Sequence, residues 1–242
     1  LAGSQIPHCV DIGLDVTAKD QQMKPEDVLL VRPQQERALV KFHKMLEAGR
    51  ETLVEVGIAG LTSEAIVSRA GVNISTFYKY FANRDAFVSY LAIEFIERQT
   101  ATLCQVVDSM PLDAPLERVI PAMIDSSVED WSNNPGSRAL QGLFVLNPLL
   151  YAEYSRSSQQ VAVALRPFMA PWNIQGSFAD WERMHSVFGD CAIVLFDRAA
   201  KAEHTEQAQL ITELKALAVA YFKTAVRPPA ESARDQRPDQ AD

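Results

Sequence analysis

The chain has 242 residues, 48% of them hydrophobic and 22% charged, with a formal net charge of −8. This length and balance fit a globular chain of one or two domains and exclude a collagen-like, low-complexity or fully disordered one. No apolar run approaches the roughly 20 residues that a membrane helix needs, and residues 1–22, which carry Asp11, Asp15 and Asp20, do not read as a signal peptide.

In chain order, residues 1–32 lack periodicity and read as a mostly flexible arm, with residues 28–31 as a short apolar anchor. From Pro33 onward, Leu39, Phe42, Leu46, Leu53 and Val56 form a helical stripe that Gly57 and Gly60 close. Thr62 or Ser63 caps a short helix through Ala70, which Gly71 ends. Asn73 caps a third helix through Phe81. Asn83 or Asp85 starts a fourth, running to about Val107 with Phe87, Leu91, Phe95 and Leu103 on one face. Pro111 and Pro115 mark a break, and a helix follows to about Ser132. Residues 133–136 are a strong turn signal. Residues 137–146 form another helix, and Pro148 interrupts or kinks a pattern that resumes to about Phe168. After a loop at 171–176, a long helix carries Trp181, Met184, Phe188, Cys191 and Leu195, and the last helix spans 204–224. Residues 227–242, rich in proline and charge, read as a disordered tail. No strand alternation is present, so the fold class is all-α.

The net charge taken alone argues against a nucleic-acid partner, but the charge is unevenly spread. Residues 34–91 hold seven Lys/Arg (Arg37, Lys41, Lys44, Arg50, Arg69, Lys79, Arg84) against six Asp/Glu, so the acidity lies outside one near-neutral segment. Cys9, Cys104 and Cys191 are an odd, sparse set with no CxxC, which fits a reducing cytoplasm, and Cys104 and Cys191 read as small buried apolar residues. The four histidines (His8, His43, His185, His204) show no metal spacing, and no Gly-rich phosphate loop or nucleophile–base motif is present. Glu129 and Asp130 are adjacent, so on a helix they point about 100° apart and make no acid–base pair. The expectation is no enzyme, no metal and no cofactor.

Residues 61–81 carry the informative pattern. Two short helices joined at Gly71 make a helix-turn-helix, with Ile66, Val72, Phe77 and Phe81 as its small core. The second helix then exposes Ser75, Thr76, Tyr78 and Lys79, hydroxyl and ammonium groups suited to phosphates and base edges. The run Gly60-Leu61-Thr62, Ile66, Ala70-Gly71-Val72, Thr76-Phe77-Tyr78-Lys79-Tyr80-Phe81 and Asn83-Arg84-Asp85-Ala86-Phe87 resembles the DNA-binding domain of the tetracycline-repressor-like (TetR) family over about residues 37–91. The resemblance implies that Thr62 caps the helix crossing the DNA backbone, that Asn73, Ser75, Thr76 and Lys79 line the recognition helix, and that Tyr78 hydrogen-bonds a phosphate. Arg84 stands where the family usually has Lys and would meet phosphate at a helix N-terminus. Asn73-Ile74-Ser75 departs from the family's usual Ser-basic-Gly, so Ile74 removes a phosphate contact and offers a contact to a thymine methyl instead.

The expected organisation is an arm (1–32), a three-helix helix-turn-helix DNA-binding domain (33–84), a helical ligand-binding and dimerisation domain (85–226) and a tail (227–242). Met123, Trp131, Phe144, Tyr151, Phe168, Trp181, Met184, His185 and Phe188 are candidates to line an apolar cavity for a bulky, mostly hydrophobic small molecule. The helix around 179–201 is apolar on more than one side, with Val187 and Val194 besides its main stripe, so one side is expected to meet a symmetry mate. A homodimer through the last two helices then implies a palindromic double-stranded DNA operator. The reading is a ligand-released transcriptional repressor without membrane attachment, with the helix beginning at Asp85 as a lever between cavity and DNA. The alternative is a DNA-binding architectural or division-coupled protein of the same fold with no effector.

Overall fold

The computed structural model describes residues 23–134 and 136–226; the first part of the expected arm and the expected tail at 227–242 lie outside them. Among the described residues the chain forms ten α-helices: α1 (Glu36–Gly60), α2 (Ser63–Ala70), α3 (Ile74–Tyr80), α4 (Arg84–Ser109), α5 (Leu116–Asn133), α6 (Ser137–Leu140), α7 (Leu143–Leu146), α8 (Pro148–Ala164), α9 (Phe178–Lys201) and α10 (His204–Lys223). The described residues hold no strand beyond an isolated antiparallel bridge between Ile174 and Val226.

Local chemistry sets most of the boundaries. Thr62 Oγ1 accepts from Ala65 N–H at the start of α2, and Gly71 ends that helix in the left-handed region at φ 63°. Asn83 Oδ1 accepts from Ala86 N–H at the start of α4. Pro148 begins α8 rather than kinking a helix, because Asn147 Oδ1 accepts from Leu149 and Leu150 N–H and a proline is well suited to the first turn. A reciprocal Ser177–Asp180 capping box starts α9. Two expectations shift. Helix α1 begins at Glu36 rather than Pro33, and Gly57 at φ 65° breaks its regularity before Gly60. The single helix expected over 137–146 is two short turns, α6 and α7, separated at Gln141-Gly142, where the Asp197 carboxylate lies 2.4 Å from where a Cβ on Gly142 would stand.

Two hydrophobic clusters hold the fold, and α4 runs through both. The first gathers Phe42, Met45, Leu46 and Leu53 of α1 with Ile66, Phe77, Phe81 and the α4 side chains Phe87, Leu91 and Phe95. The stripe expected on α1 is buried in its middle, while its ends, Leu39 and Val56, face solvent. The second cluster fills the helical layer of α5, α8, α9 and α10 around Trp131, Leu165, Phe168, Trp181 and Phe222. Trp131 and Trp172 are both buried. Trp172 Nε1 donates to the Ala114 carbonyl and Trp181 Nε1 to the Ala162 carbonyl. Between the clusters, Arg50 of α1 pairs with Glu94 of α4. The buried Asp130 of α5 accepts from Arg98 of α4 and from Asn134 (2.6 Å), and Arg98 also donates to Ser137 Oγ at 2.9 Å. A buried carboxylate held this way has its desolvation offset by several charge-assisted bonds.

The segment before α1 departs from the expected flexible arm. Residues 25–28 form a 3-10 turn that packs on α4 and buries Pro25. Met23 N–H donates to Glu153 Oε2 on α8, and Leu30 N–H donates to the Tyr80 carbonyl at the end of α3 (2.8 Å). Met23, Val28 and Leu29 are the apolar anchors, whereas Leu30 and Val31 stay exposed. Strap is therefore the better description of residues 23–32: backbone hydrogen bonds hold it, and these leave no periodic signal in a sequence.

The closest approach in the first cluster gives a stability test. A Cβ on Gly49 would stand 2.4 Å from the ring of Phe87, which is fully buried against Phe77 and Phe81. Helix propensity favours alanine by up to about 1 kcal/mol, but overpacking a close-packed core costs roughly 1–3 kcal/mol. Gly49→Ala should therefore lower the free energy of unfolding in urea; a variant as stable as the parent would contradict this packing.

Candidate DNA-reading face and ligand cavity

Helix α3 is seven residues long, too short to persist alone, and is held chiefly by its inner face. Phe77 and Tyr80 are buried there, with Phe81 just beyond, and the rings of Phe77, Phe81 and Phe87 pack at centroid distances of 4.9–5.6 Å. The outer face is polar. Asn73, Ser75, Tyr78 and Lys79 are exposed and Thr76 is half-buried. Asn73 stands at the N-cap position of α3, but its side chain makes no cap hydrogen bond. The Tyr78 hydroxyl lies 3.3 Å from Ser63 Oγ at the start of α2, which fixes its direction near the N-terminus of that helix. Thr62 is exposed there and engaged as the cap. Lys79 Nζ sits 5.4 Å from the Tyr80 ring centre, a cation–π contact, and enters no ion pair among the described residues. Arg84, expected free for phosphate, is committed: it donates to Asp85 Oδ1 and to the Ile58 carbonyl at the end of α1.

The C-terminal layer contains a partly open cavity of about 100 Å³. Helix α4 contributes Leu103, α5 contributes Ile120, Met123, Ile124 and Ser127, and α8 contributes Tyr154, Ser157, Ser158 and Val161. Helices α9 and α10 close it with His185, Phe188, Gly189, Ala192, Phe196 and Phe222. A second hollow shares Leu103, Ser127, Tyr154, Ser157 and Phe196 with it and extends to Phe95, Gln141 and Phe144. Of the expected lining residues, Met123, His185 and Phe188 line the main cavity and Phe144 the extension. Trp131, Phe168 and Trp181 are packed into the core instead. Tyr151 is exposed and donates to Asp190 (2.7 Å), and Met184 is half-buried outside the lining. Sequence reasoning missed the large apolar lining residues Leu103, Ile120, Ile124, Phe196 and Phe222 and a set of small or hydroxylic ones, Ser127, Tyr154, Ser157, Ser158, Gly189 and Ala192. Tyr154 donates to the Gly189 carbonyl, Ser127 to the Met123 carbonyl, and Ser157 is hydrogen-bonded to the Thr100 hydroxyl. No Asp, Glu, Lys or Arg lines either hollow.

The outward side of α9 presents Val187, Cys191 and Val194, one helical stripe of exposed side chains, and α10 exposes Leu217. Cys191, expected to be buried, belongs to this stripe because the buried side of α9 is taken by Trp181, His185, Gly189, Ala192 and Ile193.

Burial pushes the His185 ring down to about 4 from an ordinary 6.5, so it is neutral at pH 7, with Nδ1 3.1 Å from Ser158 Oγ. Between pH 6.5 and about 4 the unfolded chain takes up a proton that the native ring refuses. Stability therefore falls as pH drops through that window and is insensitive to this group above it. Relative to His185→Gln, the parent should lose on the order of 3 kcal/mol by the bottom of the window in urea unfolding; identical pH dependence would refute a buried, neutral His185.

Comparison with known proteins agrees with this architecture. Residues 45–91 match the family described as bacterial regulatory proteins, tetR family, and residues 115–222 match the Tetracyclin repressor-like C-terminal domain, together more than half of the chain. An HTH-type transcriptional regulator of Mycobacterium tuberculosis is 31% identical over 86 residues, which is 36% of this chain and 44% of that protein. The chain thus spans less than half the length of the curated relatives it matches. The crystal structure of a TetR-family transcriptional regulator from Streptomyces coelicolor covers 79% of this chain and 100% of its own at 19% identity and a TM-score of 0.59. RolR, solved in complex with resorcinol, covers 82% of this chain and 99% of its own at 15% identity and a TM-score of 0.51. Among the described residues, no helix is long and apolar enough to cross a membrane. The chain belongs to the tetR family of DNA-binding transcriptional regulators.

Proposed function

We propose that the protein is a homodimeric, sequence-specific repressor released from a palindromic operator by a bulky, mostly apolar small molecule. The observation that carries the reading is the outer face of α3, where Asn73, Ser75, Tyr78 and Lys79 stand exposed on a helix whose inner face is locked by aromatic packing. Ser75, Thr76 and Asn73 are suited to base edges, Tyr78, Lys79 and the Thr62-capped start of α2 to phosphates. Arg84 adds positive charge close to the backbone while remaining tied to Ile58 and Asp85. The unit at 33–84 is the DNA reader and 85–226 the ligand-binding and dimerisation unit, joined by α4.

Dimerisation is supported by the exposed stripe of α9, with Val194 56% exposed, and by Leu217 of α10, 47% exposed. Side by side on two helices, such residues suit a four-helix contact with a symmetry mate. The effector reading is supported by the uncharged, mostly apolar lining of the cavity between α4, α5, α8, α9 and α10, and the same fold holds resorcinol in RolR. That cavity also favours an effector-controlled protein over an architectural one.

Selection of bound sequences from random duplex DNA at moderate salt tests the reading as a whole. A dyad-symmetric site should be enriched, and Tyr78→Phe should weaken binding to all sequences alike by about 1.5–3 kcal/mol, the worth of one hydrogen bond to a charged acceptor. No enrichment by a folded dimer, or affinity unchanged in the variant, would count against it. Sedimentation at micromolar concentration should give a dimer, and Val194→Glu with Leu217→Glu a monomer.

With no charged group in the lining, an ionised ligand would be buried unpaired. Decanol should therefore raise the unfolding temperature at neutral pH while decanoate, of equal length, should not. Equal stabilisation by both would place binding outside the cavity.

A further inference from the structure

We infer that Ile74 reads a thymine methyl, making one T·A pair in each operator half-site a determinant of specificity. This rests on the DNA-reading role of α3 proposed above. Ile74 is 39% exposed and belongs to neither hydrophobic cluster. Between Gly71 and Phe81 it is the one exposed aliphatic side chain, set among an amide (Asn73), a hydroxyl (Ser75), a phenol (Tyr78) and an ammonium (Lys79). It gives α3 nothing locally. A β-branched residue is a weaker helix former than alanine, and this one buries no core surface.

The rest of the face narrows the base that it suits. Guanine is read most often by a guanidinium on its O6/N7 edge, and both arginines of the 61–84 segment are held elsewhere. Arg69 is paired with Glu51 and Glu55 on α1. Arg84 is paired with Asp85 and bonded to the Ile58 carbonyl. Lys79, the remaining cation of the segment, lies toward the other end of α3 over the Tyr80 ring. In the major groove the C5-methyl of thymine is the apolar feature among the base edges, and an aliphatic side chain has no other partner there. Asn73, next to Ile74 and not engaged in capping, carries the amide that pairs with the N6/N7 edge of adenine. Adjacent asparagine and isoleucine thus suit neighbouring A·T pairs.

The test uses the full chain and a site obtained by selection from random DNA. Each thymine of that site is replaced in turn by deoxyuridine, which removes the methyl and leaves the hydrogen-bonding edge intact. The parent should show one thymine per half-site whose replacement weakens binding by about fourfold, the worth of one buried methyl. In Ile74→Ala the same replacement should have no effect, while Ile74→Val should retain most of it. Because Ile74 lies outside the core, the unfolding temperature of Ile74→Ala should match the parent, which keeps the comparison free of folding effects. A site with no uracil-sensitive thymine, or equal sensitivity in Ile74→Ala, overturns the assignment while leaving the DNA-reading role standing. A folded dimer that enriches no sequence overturns both.

Discussion

The packing of Phe77, Phe81 and Phe87 against one another is the constraint on which the molecule depends. Helix α3 is seven residues long and makes no cap bond through Asn73. Nothing intrinsic to so short a segment keeps it helical in water. Its shape and direction come from aromatic rings shared with the N-terminal turns of α4, reinforced by Phe42 stacked on Phe81 from α1. Every polar group on the outer face owes its position to that inner face. Deleting a ring would remove the reading surface rather than merely loosen it.

The same α4 then continues, without interruption from Arg84 to Ser109, into the wall of the C-terminal cavity at Leu103 and its extension at Phe95. Two further contacts tie the units. Gly136, at φ 86°, lies with its Cβ direction 3.1 Å from the Arg50 carbonyl of α1. The strap at 23–30 bonds α8 at one end and the end of α3 at the other. A molecule in the cavity therefore needs no separate relay to bear on the reading face. In the proposed mechanism it has only to fit one tilt of α4 better than another, and the shift in populations can be no larger than that difference in affinity.

The helix-turn-helix was legible in the sequence because short-range chemistry encodes it. Thr62 and Asn83 do cap their helices, Gly71 does take a left-handed conformation, and Phe77 and Phe81 are buried. The cavity was legible only in outline. Large aromatics such as Trp131, Phe168 and Trp181 suggested a pocket, yet large side chains fill space. The hollow lies where Ser127, Ser157, Ser158, Gly189 and Ala192 fail to fill it. Which small residues face one another depends on the rotation of α5, α8 and α9 about their axes, and apolar periodicity does not resolve that. Cys191 misled for the same reason, since a helix apolar on two sides does not disclose which side is covered. Of the strap, the sequence showed only the apolar anchor, of which Val28 and Leu29 pack on the first cluster; its ends left no pattern because two backbone N–H groups, which every non-proline residue has, hold them.

Native-state amide hydrogen exchange across α3 and the N-terminal half of α4 tests most directly whether reading face and lever are one body. The amide of Phe81, bonded to the Phe77 carbonyl at 2.9 Å, reports on α3, and amides around Leu91 report on α4. A shared aromatic core requires both sets to open together, with the same free energy and the same denaturant dependence. Exchange of the α3 amides through a separate, low-energy opening while α4 stays protected would contradict the account, because a recognition helix that opens alone cannot be steered by α4.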